Sequence, residues 1–224
     1  MSVYFTSDHH FGHRNVIEFC GRPFVNCEDM QESLIERHNE VVKPGDLVYI
    51  LGDMFWRSTS KEEATDILNR MNGQKYYVWG NHEETMRDLQ NDPQTRQQFV
   101  WYRDIANIHP ADYPHIILCH YSLRVWEGSH KGAWHLFGHS HNGLSKSVAG
   151  QSPEESPLSM DVGVDTHDFY PWSLEEVTAE LKARDENWTR INMQCPNCRH
   201  KFIATNMGDH KCAKCGSEMI RNSQ

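Results

Sequence analysis

Short apolar runs alternate with amphipathic stretches over most of the chain. Val3-Tyr4-Phe5-Thr6, Leu47 to Leu51, Lys75 to Trp79, Ile116 to Cys119, Trp134 to Phe137 and Leu158 to Val164 have the length and the β-branched or aromatic content of buried strands. Arg14 to Cys20 predicts a short helix. Asp29 to Val42 predicts a longer one, with Met30, Leu34, Ile35, His38, Val41 and Val42 at helical spacing and Pro44-Gly45 closing it. Ser60-Lys61-Glu62-Glu63 is a capping box opening a helix to Met71 or Asn72, with Gly73 expected at its C-terminal cap. Ser173-Leu174-Glu175-Glu176 is a second capping box, for a helix running to about Arg184. The strand–helix–strand unit from Leu47 to Trp79 implies a right-handed crossover and a parallel pair. The pattern is that of an α/β fold. Residues 143–157, rich in Ser, Gly and Pro, read as a surface loop, and 185–193 as a polar linker. Two domains are therefore expected, 1–188 and 189–224.

Charge sharpens this division. The chain of 224 residues carries a formal net charge of -9. Residues 194–224 are net +3, from Arg199, Lys201, Lys211, Lys214 and Arg221 against Asp209 and Glu218, which leaves the remainder near -12. An acidic body is a poor general surface for long nucleic acids. It still admits a small phosphorylated ligand, because bound divalent cations reverse the local sign. No stretch approaches the ~18 apolar residues of a membrane span, and the N-terminus has neither the basic nor the apolar region of a signal peptide. Outside the paired cysteines near the C-terminus stand Cys20, Cys27 and Cys119, an odd number that argues for a reducing compartment and a cytoplasmic location.

The chemistry-bearing residues follow the apolar runs. Asp8-His9-His10, Gly52-Asp53, Gly80-Asn81-His82, Cys119-His120 and Gly138-His139-Ser140-His141 nearly all come just after one, at expected strand ends. Separate strand ends converge on one point in a layered α/β fold. Glycine before Asp53, Asn81 and His139 suits tight turns that need positive φ or close backbone approach. Asp8 and His10 are two residues apart, as are His139 and His141, so in an extended chain each pair would face one side. The mixed Asp, His and Asn donors suit manganese, iron or zinc, and a carboxylate such as Asp53 can bridge two cations. His38, His109, His115, His130, His135 and His167 read as structural or solvated.

The order of these clusters, over roughly residues 1–185, resembles the metallophosphoesterase (calcineurin-like phosphoesterase) superfamily, in particular its small bacterial and phage members that open with a similar SDxHFGH string. The resemblance implies a four-layer αββα sandwich. It implies two active-site divalent cations (Mn, Fe or Zn, with Ni or Mg also allowed), one held by Asp8, His10 and His141, the other by Asn81, His120 and His139, with Asp53 as the bridge. It makes His82 the non-ligand histidine facing the leaving group and places Arg57 at the arginine of the GDxxxR string. It implies metal-dependent hydrolysis of a phosphate ester. His13, Arg14 and Asn15, at the start of the first helix, are candidates for contacting the substrate phosphate, because a helix N-terminus favours anions; the alternative for His13 is packing on Phe11.

Cys195-Pro196-Asn197-Cys198, thirteen residues, then Cys212-Ala213-Lys214-Cys215 is a zinc-ribbon spacing, in which four thiolates close one structural Zn. A module of this size lacks a core of its own, so metal would stabilise it. The expected partner is a phosphorylated small molecule or nucleotide, with a small or cyclic nucleotide diester fitting the compact, acidic body. Two rivals remain: a nuclease or end-processing enzyme that uses the basic ribbon to bind nucleic acid, and a non-catalytic metal-containing scaffold. Oligomeric state is open.

Overall fold

The computed structural model describes residues 1–144, 156–187, 191–194, 197–198, 201–204, 215, 217 and 220–221. Most of the loop expected at 143–157 lies outside them, as do Cys195 and Cys212. The chain divides into two units, Met1–Thr178 and Ala179–Gln224.

In the first unit, β1 (Val3–Thr6), β2 (Leu47–Ile50), β3 (Gln74–Val78) and β4 (Phe99–Arg103) are parallel neighbours in one sheet. A fifth strand, β9 (Trp172–Ser173), runs antiparallel on the far side of β1. A second sheet has the order β5 (Ile105–Ile108), β6 (Ile116–Cys119), β7 (Trp134–Phe137), β8 (Ser159–Asp161), antiparallel between β5 and β6 and parallel thereafter. Every residue of β6 and β7 is buried, so the middle of this sheet is covered on both faces.

Helices cover one face of the first sheet. These are α2 (Cys27–Val41), α3 (Lys61–Arg70) and α4 (Glu84–Asn91). Met30, Leu34, Ile67, Leu68, Met86 and Leu89 from the three join Val48, Ile50, Tyr77 and Phe99 from the strands in one apolar cluster. The helix α2 begins two residues before the expected Asp29, because Asn26 caps it and accepts from the Asp29 amide at 2.8 Å. Ser60 caps α3 as expected, accepting from Glu63 N at 3.1 Å. Gly73 plays a different part from the cap assigned to it. The helix closes at Met71, in an extended conformation, and Gly73 at φ +92° turns the chain into β3, where a Cβ would lie 2.7 Å from Val48 Cγ2. The capping box at Ser173 forms in both directions, with Glu176 N to Ser173 Oγ at 3.2 Å and Ser173 N to Glu176 Oε2 at 2.8 Å, and opens α5 (Leu174–Asn187).

The short first helix forms where expected, as α1 (Arg14–Phe19), with Cys20 as its C-cap. Two other expectations need correcting. The run Leu158 to Val164 is a strand only at Ser159–Asp161; beyond it Val164 leaves the sheet and its amide bonds Ser7 O at 3.0 Å. The segment 185–193 is not wholly a linker, since α5 continues to Asn187 and a strand, β10 (Ile191–Gln194), begins the second unit's sheet. There β10 pairs antiparallel with β11 (Lys201–Ala204) and β12 (Ile220–Arg221). Cys198 and Cys215 bring their Sγ atoms to 3.6 Å.

Candidate metal centre

Every strand-end cluster read from the sequence arrives at one place. The loop after β1 is laced to the loop after β2 by Asp8 N to Gly52 O (3.1 Å), His10 N to Asp53 O (3.1 Å) and Phe11 N to Met54 O (2.9 Å). Gly138 N bonds His120 O at 2.9 Å, and His139 N bonds Asp8 Oδ2 at 2.9 Å, which ties the second sheet to the first. Two glycines permit this closeness. A Cβ on Gly80 would run into Asp53 Oδ1 and lie 2.8 Å from both Asp53 N and Glu83 Oε1; one on Gly138 would run into Ser7 and Asp8 Oδ2.

The side chains fall into two donor groups. Asp8, His10 and His141 form one; Asp53, His120 and His139 form the other; within each group the donor atoms lie within 4.8 Å of one another. Asp53 Oδ2 stands between the groups, 3.7 Å from His10 Nε2 and 3.6 Å from His120 Nε2. Its other oxygen, Oδ1, accepts from Asn81 N at 2.8 Å and His82 N at 2.9 Å. One oxygen is thus held by backbone and the other is left facing both groups. Asn81 Oδ1 lies 3.0 Å from His120 Nε2, on the second group's side. Two ligand atoms of one cation lie up to about 4.0–4.4 Å apart, twice a bond of about 2.0–2.2 Å; Asp8 Oδ1 is 3.9 Å from both His10 Nε2 and His141 Nε2, and Asp53 Oδ2 is 3.6 Å from His120 Nε2, so each group can share a cation.

The paired donors do not sit on extended chain, although their two-residue spacing leads one to expect it. Asp8, His10, Asp53, His139 and His141 all take left-handed backbone, with φ of 60°, 53°, 53°, 65° and 46°. The paired donors converge because the loops coil, not because a strand alternates. Such conformations cost on the order of 1–3 kcal/mol each and persist where surrounding structure holds them.

The sequence profile of the calcineurin-like phosphoesterases matches residues 1–161. The chain belongs to this family. The chain is 26% identical over 196 residues to the Gene 66 protein of Mycobacterium phage D29, a match covering 79% of this chain and 94% of that one. It is 40% identical over 82 residues to an uncharacterised protein of Methanocaldococcus jannaschii, a match spanning 37% of this chain and 47% of the relative's length. A crystal structure of a protein of unknown function from Aquifex aeolicus shares the fold, with a TM-score of 0.60 at 23% identity over 80% of this chain and 98% of that one. The family's chemistry is metal-dependent hydrolysis of phosphate esters.

The donors fit metal by their own chemistry. Asp8 Oδ1 and both ring nitrogens of His10 are buried without a hydrogen-bond partner, a costly condition that a cation relieves. Burial pushes the Asp8 carboxyl up to about 7, with Asp161 and Asp53 adding to it and His141 opposing. Burial holds His10 down to about 2 and lowers His120 and His139 too, which keeps those rings neutral and able to ligate. His141 goes the other way. Burial opposes its charge, but its hydrogen bonds to Asp165 and Cys20 and the Asp8 charge raise it to about 10.

These raised values fix a pH dependence. In the metal-free fold Asp8 releases its proton near 7 rather than 3.8, so its ionisation costs stability increasingly between those values. The His141 contribution is full below 6.5 and lost as pH rises through about 10. A cation ligated by both must displace both protons. Apparent affinity for Mn²⁺, measured calorimetrically, is therefore expected to climb from about pH 6 and to keep climbing towards about pH 10; a flat profile contradicts ligation by Asp8 and His141.

Residues that sequence reasoning missed surround the donors. Asp165 accepts from His141 Nδ1 at 2.6 Å, which turns Nε2 towards Asp8. Arg22, buried, grips Asp165 through Nε at 2.8 Å and Nη2 at 2.7 Å, and also bonds the carbonyls of Asp8 (2.7 Å) and His9 (2.9 Å). Glu83 Oε1 accepts from Asp53 N at 3.0 Å and Gly80 N at 2.6 Å, joining the loops after β2 and β3. The adjacency of Glu83 to Asn81-His82 is the one sequence signal for these; Arg22 and Asp165 are 143 positions apart. Asp165→Asn keeps the shape but removes the charge behind His141, and is expected to weaken cation affinity about 10–100-fold in the same titration; unchanged affinity would show that His141 needs no such support.

Among the proposed substrate contacts, His13 reaches the site, its ring 5.4 Å from that of His10. It packs on Trp56, not Phe11; Phe11 is taken by His9, whose ring stacks on it at 5.4 Å away from the donors. Arg14 and Asn15 are exposed and make no described contact with the donors, and a six-residue helix offers little dipole to bind an anion. His82 borders the first group, 5.7 Å from the His10 ring. Arg57 is exposed over Trp56, so the orientation of Asp53 rests on backbone amides and not on Arg57.

Proposed function

We propose that the chain hydrolyses a phosphate ester, a diester or a monoester, at the paired donor groups. The observation carrying this is Asp53: one oxygen is fixed by two backbone amides and the other faces both groups at 3.6–3.7 Å. Asp8, His10 and His141 would hold one divalent cation and Asn81, His120 and His139 the other, with Asp53 shared. Such cations lower the pKa of water and neutralise charge on phosphate oxygens. His82 gives a proton to the leaving oxygen, and Arg57 and His13 face the phosphate. Manganese, iron and zinc all suit the donors.

A small or cyclic nucleotide is the substrate class that best fits the acidic body. The paired cysteines form a structural zinc ribbon in this reading; the Cys198 and Cys215 sulfurs at 3.6 Å are close to the ~3.8 Å expected of two thiolates at about 2.3 Å from one zinc. Cys20, Cys27 and Cys119 are free thiols, which fits the cytoplasm, and no helix among the described residues is long and apolar enough to cross a membrane. A Mn²⁺-supplemented screen of bis-p-nitrophenyl phosphate, p-nitrophenyl phosphate and cyclic nucleotides is expected to give turnover that a chelator abolishes. No chelator-sensitive turnover on any ester would favour the scaffold reading. Preference for oligonucleotides that falls steeply with salt would favour the nuclease.

A further inference from the structure

Trp56 is a large aromatic residue that the hydrophobic core does not use. It is only half-buried and belongs neither to the apolar cluster under α2, α3 and α4 nor to the side chains packed against it. Its described ring contacts all go to groups at the metal centre. The His13 ring lies flat on it, 3.7 Å between centroids and 3° between planes. The His82 ring is 4.7 Å away and tilted by 54°, and the Arg57 guanidinium carbon is 5.3 Å from the indole. His10 is further off, at 6.4 Å. The three near neighbours come from three loops, after β1, β2 and β3.

The backbone of Trp56 is pinned by the same loops. Its amide bonds Phe11 O at 2.8 Å, and its carbonyl accepts from Thr59 N at 2.9 Å and from Thr85 Oγ1 at 3.2 Å. The indole therefore stands on a fixed stretch of backbone. His13 and His82 need such a surface, because among the described residues no hydrogen bond reaches either imidazole of this pair, and His13 Nδ1 is buried without a partner. An imidazole that must meet a phosphate or a leaving oxygen loses effect when its ring is free to turn.

We propose that Trp56 is a positioning residue for the substrate side of the centre, setting the ring orientation of both His13 and His82. This rests on the phosphoesterase reading for its consequence in catalysis, but not for its structural content. Because His13 already covers the indole at stacking distance, Trp56 acts on substrate through the histidines and is not itself a stacking surface for it.

The test compares Trp56→Ala, Trp56→Phe and His82→Ala with wild type on a cyclic nucleotide, whose alkoxide leaving group needs a proton, under Mn²⁺, with bound metal measured in each. Trp56→Ala is expected to lower kcat by up to about 10²-fold at unchanged metal content. Trp56→Phe, which keeps a ring face, restores most of the loss. Adding Trp56→Ala to His82→Ala costs much less than it does in wild type. Wild-type kcat in Trp56→Ala, or full additivity of the pair, overturns the proposal. A second readout needs no turnover. In the Zn²⁺-loaded protein, nuclear Overhauser contacts from the imidazole protons of His13 and His82 to neighbouring backbone protons report the orientation of each ring; the pattern of a single orientation should be lost in Trp56→Ala and Trp56→Leu and kept in Trp56→Phe, while the patterns of His38 and His135 stay. If the His13 and His82 patterns are unchanged in Trp56→Ala, the positioning claim fails even where activity is present. If they are lost but wild type hydrolyses no ester, the positioning claim stands and the phosphoesterase reading falls.

Discussion

Asp53→Asn is expected to leave a folded protein with almost no hydrolysis. The substituted amide can still present an oxygen to Asn81 N and His82 N, the two bonds that Oδ1 accepts at 2.8 and 2.9 Å. Its nitrogen then falls where Oδ2 faced His10 and His120. A shared anionic acceptor becomes a neutral donor at the point where two cations would meet. The loss should exceed the about 10–100-fold that supporting residues one step further out typically cost. Turnover under saturating Mn²⁺, read with metal content and melting temperature, checks it. Wild-type turnover in the variant would remove Asp53 from the mechanism.

His82→Ala should produce a loss of a different kind. Its ring belongs to neither donor group, and its amide, which the substitution keeps, makes the bond to Asp53. Metal content should therefore be retained while kcat falls about 10²–10⁴-fold, the usual worth of a positioned proton donor. The loss should shrink on esters whose leaving group is a weak base, because these need no proton. A uniform loss across leaving groups would mean that His82 shapes the site without donating.

The donors themselves were legible because nearly every cluster sits just after an apolar run, and a strand end is a local property of sequence. The conformation that joins them was not. The spacing of Asp8 with His10 suggested alternation along an extended chain, whereas both residues are left-handed, and no side-chain preference announces that. Helix α4 was hidden for a related reason: its N-cap, Glu83, lends its carboxylate to Asp53 N and Gly80 N rather than to its own helix. β4 and β5 were missed because Asp104 alone separates them, with no glycine or proline to mark the place where the chain leaves one sheet for the other. Arg22 and Asp165 lie too far apart in sequence for any pattern to pair them. The function of Trp56 depends on ring contacts between three loops, which only folding creates.

The central claim is that Asp53 is shared by two cations, each held by one donor group. Anomalous diffraction at the manganese edge, from crystals of the full chain loaded with Mn²⁺, tests it directly. Two peaks are predicted on either side of Asp53 Oδ2, one within bonding distance of Asp8, His10 and His141, the other of His120, His139 and Asn81. A single peak, or two peaks with Asp53 bonded to neither, would contradict it.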